Sequence, residues 1–418
     1  MRMAPSLPRG CRSKQLDVRY ARNMSHAVSP DSARPPEPET DPSATWPDFS
    51  PSTDPGAWES DILGEGFDYT TLPLGRDAEG ELCATLVRYR RAAAATGPQT
   101  PTLTRALSRF GTAVRGLFPG GHAASAPRSG APAEPRRFVL ALHGWSDYFY
   151  NTEQAKHWEA RGYAFYALDL RRYGRSLRAY HLNPGFTSAL DEYDADLEAA
   201  LAMIRTLEGE DAIGVCVAHS TGGLIASLWV NRNPTAFAAL VLNSPWLEMQ
   251  GSYLVRYAAS GVVDPIARLR PRAKLHLPEI DNYWRTLSRL SHGSWDLHRH
   301  WRPPISFPVT AGWITAVMAG HREVSKGLDI RIPVLVMTSK TSHLGTSFDE
   351  SMLHNDSVLE VNVVRERSLK LGREVTNVML DGAMHDVFSS LPDPRAAAYA
   401  AMDRWGSGYL RSTAQRSA

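Results

Sequence analysis

The chemistry this chain can do starts at Ser220. It sits in Ala218-His219-Ser220-Thr221-Gly222, between an apolar run at 213–218 that reads as a buried strand and a run at 224–230 that reads as a helix. A serine held at a sharp strand–helix turn has its hydroxyl pushed clear of the sheet edge, where a base can reach it. An unassisted hydroxyl is a poor nucleophile. It needs a base at hydrogen-bond distance and a third group to orient that base. Ala218 stands where the G-x-S-x-G pattern has its first glycine, a mild change because the turn needs little volume there. The plain alternative is a serine in an ordinary strand–helix loop.

The base is expected on a loop after a late strand. His385, in Gly382-Ala383-Met384-His385-Asp386, follows a strand-like run at 375–380 and is the one of 14 histidines in that place. His219 neighbours the serine, but the turn carries its side chain away from that of Ser220. His292, His298 and His300 lack the paired acidic or thiolate ligands of a metal site. A surface or lid role is expected for them, and neither metal nor cofactor is implied. The acid should follow the apolar run 333–337, where Thr338-Ser339-Lys340-Thr341-Ser342 offers no carboxylate. Asp349, Glu350 and Asp356 come later. Asp356 precedes a helix-like run at 357–371 and is nearest the return to the sheet; it also suits an N-cap. Asp349 is the alternative acid. Asp381 and Asp386 are close to His385 in sequence, which alone gives no orienting geometry. An oxyanion needs two backbone N–H groups. Thr221 supplies one and Trp145, in His143-Gly144-Trp145-Ser146-Asp147 after the strand-like run 137–142, the other.

These residues need a scaffold that brings distant loops together. Short apolar runs at 137–142, 163–168, 213–218, 238–242, 333–337 and 375–380 alternate with helix-like runs at 153–161, 191–207 and 224–230, and a last helix spans 395–405. That alternation predicts a mostly parallel sheet covered on both faces. Ahead of it, 67–74 and 81–90 read as a hairpin. The chain divides into a disordered tail at 1–57, a first core part at 58–245 with a low-complexity insertion at 91–136, a cap or lid at 246–326, a second core part at 327–410 and a tail at 411–418. Four tryptophans (Trp284, Trp295, Trp301, Trp313) and a basic surplus mark the cap.

With 418 residues, 43% apolar, the chain can bury such a core, and a net charge of +2 does not point to nucleic acid. Cys11, Cys83 and Cys216 are too scattered for a disulfide framework and suit a reducing compartment; Cys216 reads as a small buried filler. No stretch approaches the roughly 18 apolar residues of a membrane span. The arginine-rich N-terminus lacks the apolar core of a secretory signal, so a cytoplasmic location is expected, with Met24 an alternative start. Leu103, Leu107, Phe110, Val114 and Leu117 fall near helical spacing with arginines between them. That pattern fits a short helix on the protein's own body, no helix at all, or peripheral contact with a membrane surface.

The motifs together resemble the α/β-hydrolase superfamily, specifically its serine aminopeptidase S33 / monoglyceride lipase-like (lysophospholipase-type) branch, over residues 60–410. His143-Gly144-Trp145-Ser146-Asp147 is similar to that branch's H-G-x-x-[DE] loop. Asp169 to Ser176 is similar to its D-x-R-G-x-G-x-S loop, with Arg172 in place of the usual glycine. Leu242-Asn243-Ser244-Pro245 and the 378–387 loop also match. The resemblance implies an α/β-hydrolase fold with an inserted cap, and no cofactor. It implies Ser220 as nucleophile, His385 as general base and Asp356 as orienting acid, since Asp356-Ser357-Val358-Leu359 resembles the segment after the family's acid. The insertion at 338–355 departs from the pattern. The branch holds esterases, monoacylglycerol lipases, lysophospholipases and a few peptidases. The expected activity is hydrolysis of a small-molecule acyl ester through an acyl-enzyme. An aminopeptidase-type peptidase and a non-catalytic binding protein of the same fold are the alternatives.

Overall fold

The structure, a computed structural model, describes residues 54, 56–90, 135–250 and 263–410. Almost all of the expected 1–57 tail and 91–136 insertion, including the 103–117 stretch, and the 411–418 tail lie outside the described residues.

Among the described residues nine strands form one sheet. The first three are β1 (Glu59–Ser60), β2 (Phe67–Asp77) and β3 (Gly80–Tyr89), each antiparallel to the next. The next are β4 (Arg137–Leu142), β5 (Ala164–Asp169), β6 (Ile213–His219) and β7 (Ala239–Asn243), followed by β8 (Val334–Ser339) and β9 (Val375–Leu380). The spatial order is β1-β2-β3-β5-β4-β6-β7-β8-β9, and every pairing from β5 to β9 is parallel. The apolar runs of β4, β6, β7 and β8 have side chains buried on both faces, the condition a parallel sheet imposes on its inner strands. β9 closes the far edge, and its Met379 is exposed.

Helices connect the strands: α1 (Thr152–Glu159), α2 (Asp194–Glu208) and α3 (Thr221–Arg232). Asn151 caps α1 by accepting from Gln154 N–H at 3.0 Å. Gly209, at φ 103°, ends α2. Between β7 and β8 lies an inserted segment with α4 (Val263–Leu269), α5 (Asn282–Leu287) and α6 (Ala311–Lys326). α6 packs against α3 through Gly320, where an added Cβ would stand 2.8 Å from a Leu190 methyl and 3.0 Å from one of Leu228. After β8 come α7 (Val361–Ser368) and α8 (Pro392–Tyr409). The helix read at 357–371 is therefore shorter than expected. Asp356 folds residues 357–359 into a turn, and Glu360 caps α7 instead, accepting from Asn362 N–H at 3.3 Å. Among the described residues no helix is long and apolar enough to cross a membrane.

Candidate active site

The sheet order sets where loops can meet. From β4 the chain steps to β5 on one side, then crosses back to β6 on the other. The crevice at such a reversal lies at the carboxyl ends of the strands. Register brings the two loops level, because Leu142 pairs with Ala218, so His143-Gly144 emerges beside His219-Ser220.

Ser220 occupies φ 50°, ψ −117°, a conformation forced on a non-glycine residue by the turn between β6 and α3. Gly222 explains how the turn fits. A Cβ there would stand 2.2 Å from the His143 carbonyl oxygen, so only glycine lets the β4 loop approach. At Gly144 a Cβ would stand 3.1 Å from the Ser220 Cβ. The turn therefore depends on the glycine after the serine, while Ala218 is simply a buried strand residue.

The Oγ of Ser220 lies 3.1 Å from His385 Nε2. On the other side of the ring, Nδ1 lies 2.9 Å from Asp356 Oδ2. Asp356 is fully buried, and its Oδ1 accepts from the N–H groups of Val358 and Leu359, each at 2.8 Å. The insertion at 338–355 bulges out and returns where Ser342 bridges Asp356. Asp349 is elsewhere: exposed, it caps a short 3-10 turn by accepting from Ser351 N–H at 2.8 Å. Asp381 is exposed and paired with Lys340 at 3.0 Å. Asp386 is taken up elsewhere, accepting from Ser389 Oγ and Asn243 Nδ2, both at 2.6 Å.

Thr221 is the first residue of α3, and Trp145 follows Gly144 on the β4 loop. His143 fixes that loop: its Nε2 accepts from Leu170 N–H at 3.1 Å, so Nδ1 carries the proton and donates to Gly144 O at 2.8 Å. The Trp145 ring packs on Trp313 at 3.8 Å between centroids. Asp169 of the next loop accepts from Phe149 N–H at 2.9 Å and from the buried Arg175, which also binds Asp61. Arg172 takes the left-handed conformation, φ 64°, that favours glycine. Its guanidinium is held at 2.5 Å by Asp77 and Glu79 of the β2–β3 turn.

A second ring of residues was missed by sequence reasoning. Tyr283, from α5, stands edge-on to His385 at 5.0 Å and donates to His219 Nε2 at 3.2 Å. The His219 ring itself lies 4.9 Å from that of His385, and burial holds its pKa down at about 4. Arg302, also from the inserted segment, pairs with Asp147. Burial works to raise the Asp147 carboxyl, but Arg302 prevails and holds it below its usual range. No spacing in the sequence signals these contacts, which join segments far apart along the chain. Asn243 does more than complete the Leu242–Pro245 match: its carbonyl binds the serine loop and its side chain the histidine loop. His298 is buried and stacked on Trp301 at 3.9 Å, while His292 stacks on Phe348 at 4.2 Å. Among the described residues no group of three or more His, Cys, Asp or Glu is arranged to hold a metal.

A mostly parallel sheet with helices on both faces and a serine at the β6–α3 turn defines the class: an α/β-hydrolase. The chain belongs to the serine aminopeptidase S33 family, whose model matches residues 133–389, and it is a serine hydrolase. No curated protein matches it in sequence. Solved structures similar to it include a lipase in its open form, at 14% identity over 82% of this chain and 99% of that one, with a TM-score of 0.52. A soluble variant of monoglyceride lipase from Saccharomyces cerevisiae, in complex with a substrate analog, is 13% identical over 81% of this chain and 96% of that one, with a TM-score of 0.51. At such identities the likeness is one of fold.

Proposed function

We propose that the protein hydrolyses a carboxylic ester with an acyl chain, of the monoacylglycerol or lysophospholipid type, through an acyl-enzyme. The observation that carries this reading is the continuous contact Ser220 Oγ–His385 Nε2–Asp356 Oδ2, at 3.1 and 2.9 Å. Ser220 attacks the carbonyl carbon while His385 Nε2 takes its proton. Asp356 holds the proton on His385 Nδ1 and stabilises the imidazolium. The N–H groups of Trp145 and Thr221 face the oxygen that becomes negative. His385 then protonates the leaving alcohol, and the acyl-enzyme remains. Water, giving its proton to His385, releases the acid and restores Ser220. The inserted segment serves as the cap, and half-buried Trp145 with buried Trp246, Phe307 and Trp313 gives the acyl chain an apolar wall. The described cysteines, Cys83 and Cys216, are free and buried, in keeping with a cytoplasmic location.

A fluorophosphonate probe tests the assignment. It is expected to label the wild type and not Ser220→Ala. Labelling that survives in Ser220→Ala, or is missing from the wild type, would overturn it. Nitrophenyl esters of graded length should show a chain-length optimum. Cleavage of aminoacyl anilides with no such optimum would move the assignment to a peptidase.

A further inference from the structure

Four consecutive residues of the β4 loop are each held by the cap. The Trp145 ring packs on Trp313. Ser146 Oγ accepts from Phe307 N–H at 3.0 Å. Asp147 is paired with Arg302. Tyr148 OH accepts from His298 N–H at 2.9 Å. Within the loop, Asp147 organises the backbone: Oδ1 accepts from Tyr148 N–H at 2.8 Å, and Oδ2 receives Gly144 N–H at 3.5 Å. Ser146 is held at φ 51°, a strained state that persists only where surroundings over-determine it. Arg302 is buried, its guanidinium 5.5 Å from the Tyr150 ring centre and 5.0 Å from that of Tyr283. Tyr283 in turn stands against His385.

We infer that Arg302 is a positioning residue for the oxyanion loop, so that Trp145 N–H takes its place only when the cap is seated with Arg302 on Asp147. The inference rests on the ester-hydrolase reading and adds a coupling to it. Arg302 touches no reacting atom; it acts through the Asp147 carboxylate on the Gly144–Trp145 backbone. An arginine suits this place because its planar fork and unfailing charge can stay paired in a buried site.

The test compares Arg302→Met, Arg302→Lys and the exposed-cap control Arg299→Met in the full chain, by nitrophenyl ester kinetics. It adds the affinity of two inhibitors of equal chain length. In an alkyl trifluoromethyl ketone, the Ser220 oxygen bonds to the carbonyl carbon, its proton passes to His385, and the ketone oxygen becomes an oxyanion. An alkyl ether cannot react. Arg302→Met should lower kcat by about 100-fold with KM within about threefold, the scale of losing one oxyanion donor. Ketone affinity should fall by a matching factor and ether affinity hold. Arg302→Lys should recover part of the loss, and Arg299→Met should behave as wild type. Should Arg302→Met fail to fold, Asp147→Asn, which keeps the volume, should show the same selective loss. Unchanged kcat and ketone affinity in both variants would overturn the inference, as would ketone and ether affinities falling together. A wild type that neither cleaves esters nor takes the fluorophosphonate would instead overturn the ester reading itself.

Discussion

Replacing Asp356 by asparagine isolates the role proposed for the acid. Its two oxygens do different things: Oδ1 accepts from Val358 and Leu359 N–H at 2.8 Å each, and Oδ2 faces His385 Nδ1 at 2.9 Å. In Asp356→Asn the single remaining oxygen keeps the two backbone bonds, so the amide NH2 must face His385. A donor there demands a bare Nδ1, and the ring proton moves to Nε2. Nε2 then cannot accept the Ser220 proton. The wrong tautomer costs about 10,000-fold in kcat, or roughly 5 kcal/mol of barrier. Stability should change little, because the shape and both backbone bonds survive. Asp356→Ala would be a poorer probe: it strands the buried Leu359 N–H at about 1–3 kcal/mol, frees that of Val358, and mixes folding with chemistry. The assay is steady-state ester hydrolysis, with fluorophosphonate labelling rates and thermal unfolding alongside. Asp349→Asn should match wild type, since Asp349 is exposed and serves only a turn. Activity of Asp356→Asn within about tenfold of wild type, or an equal loss in Asp349→Asn, would refute the reasoning.

Arg172→Gly restores the family's residue at a left-handed position and should nevertheless destabilise. It relieves about 1–2 kcal/mol of backbone strain but breaks a buried ion-paired guanidinium worth about 3–5 kcal/mol to keep intact, so a net loss of about 1–4 kcal/mol is expected in denaturant unfolding; a more stable glycine variant would reverse that order. Stability should also fall as pH drops from about 6.5 to 4. Burial lowers the folded pKa of His321 to about 4, while the unfolded chain takes up that proton near 6.5. Between those values the unfolded state binds more protons, so ΔG of unfolding decreases with acid, by up to about 3 kcal/mol for this one group. His321 Nε2 donates to Trp246 O at 2.9 Å, a bond glutamine can replace, and His321→Gln should show a slope shallower by about one proton. An identical slope would exclude His321 as a source.

The sheet was legible because a parallel strand covered on both faces must be apolar throughout, and such runs stand out at β4, β6, β7 and β8. The chain order of the serine and histidine loops was legible because it follows the strand order. Helix ends were less so: α7 starts late because Asp356 spends its carboxylate on a turn. Asp349 and Asp356 stayed open in the sequence because loop length hides where an insertion returns to the sheet, here at the Ser342–Asp356 bridge. Arg172 read as a lapse from the glycine pattern; its reason lies in Asp77 and Glu79 on a turn far upstream. Arg302 and Tyr283 were illegible because their partners lie on the far side of the chain, and nothing local marks them.

Asn243 answers how residues from separate loops stay within hydrogen-bond distance. It ends β7, the strand beside β6, in register with His219. Its carbonyl accepts from Ser220 N–H at 3.0 Å and from His219 Nδ1 at 3.1 Å, tying down the serine turn. Its side-chain oxygen accepts from Val387 N–H at 3.0 Å, and its amide donates to Asp386, tying down the histidine loop. One residue thus bonds to the two residues that follow His385 and to both His219 and Ser220 of the serine turn. The residue that bridges the two loops, by its carbonyl to one and its side chain to the other, stands on a strand rather than on either of them. The site therefore inherits the rigidity of the sheet, and the 3.1 Å separation of Ser220 and His385 does not depend on either loop alone.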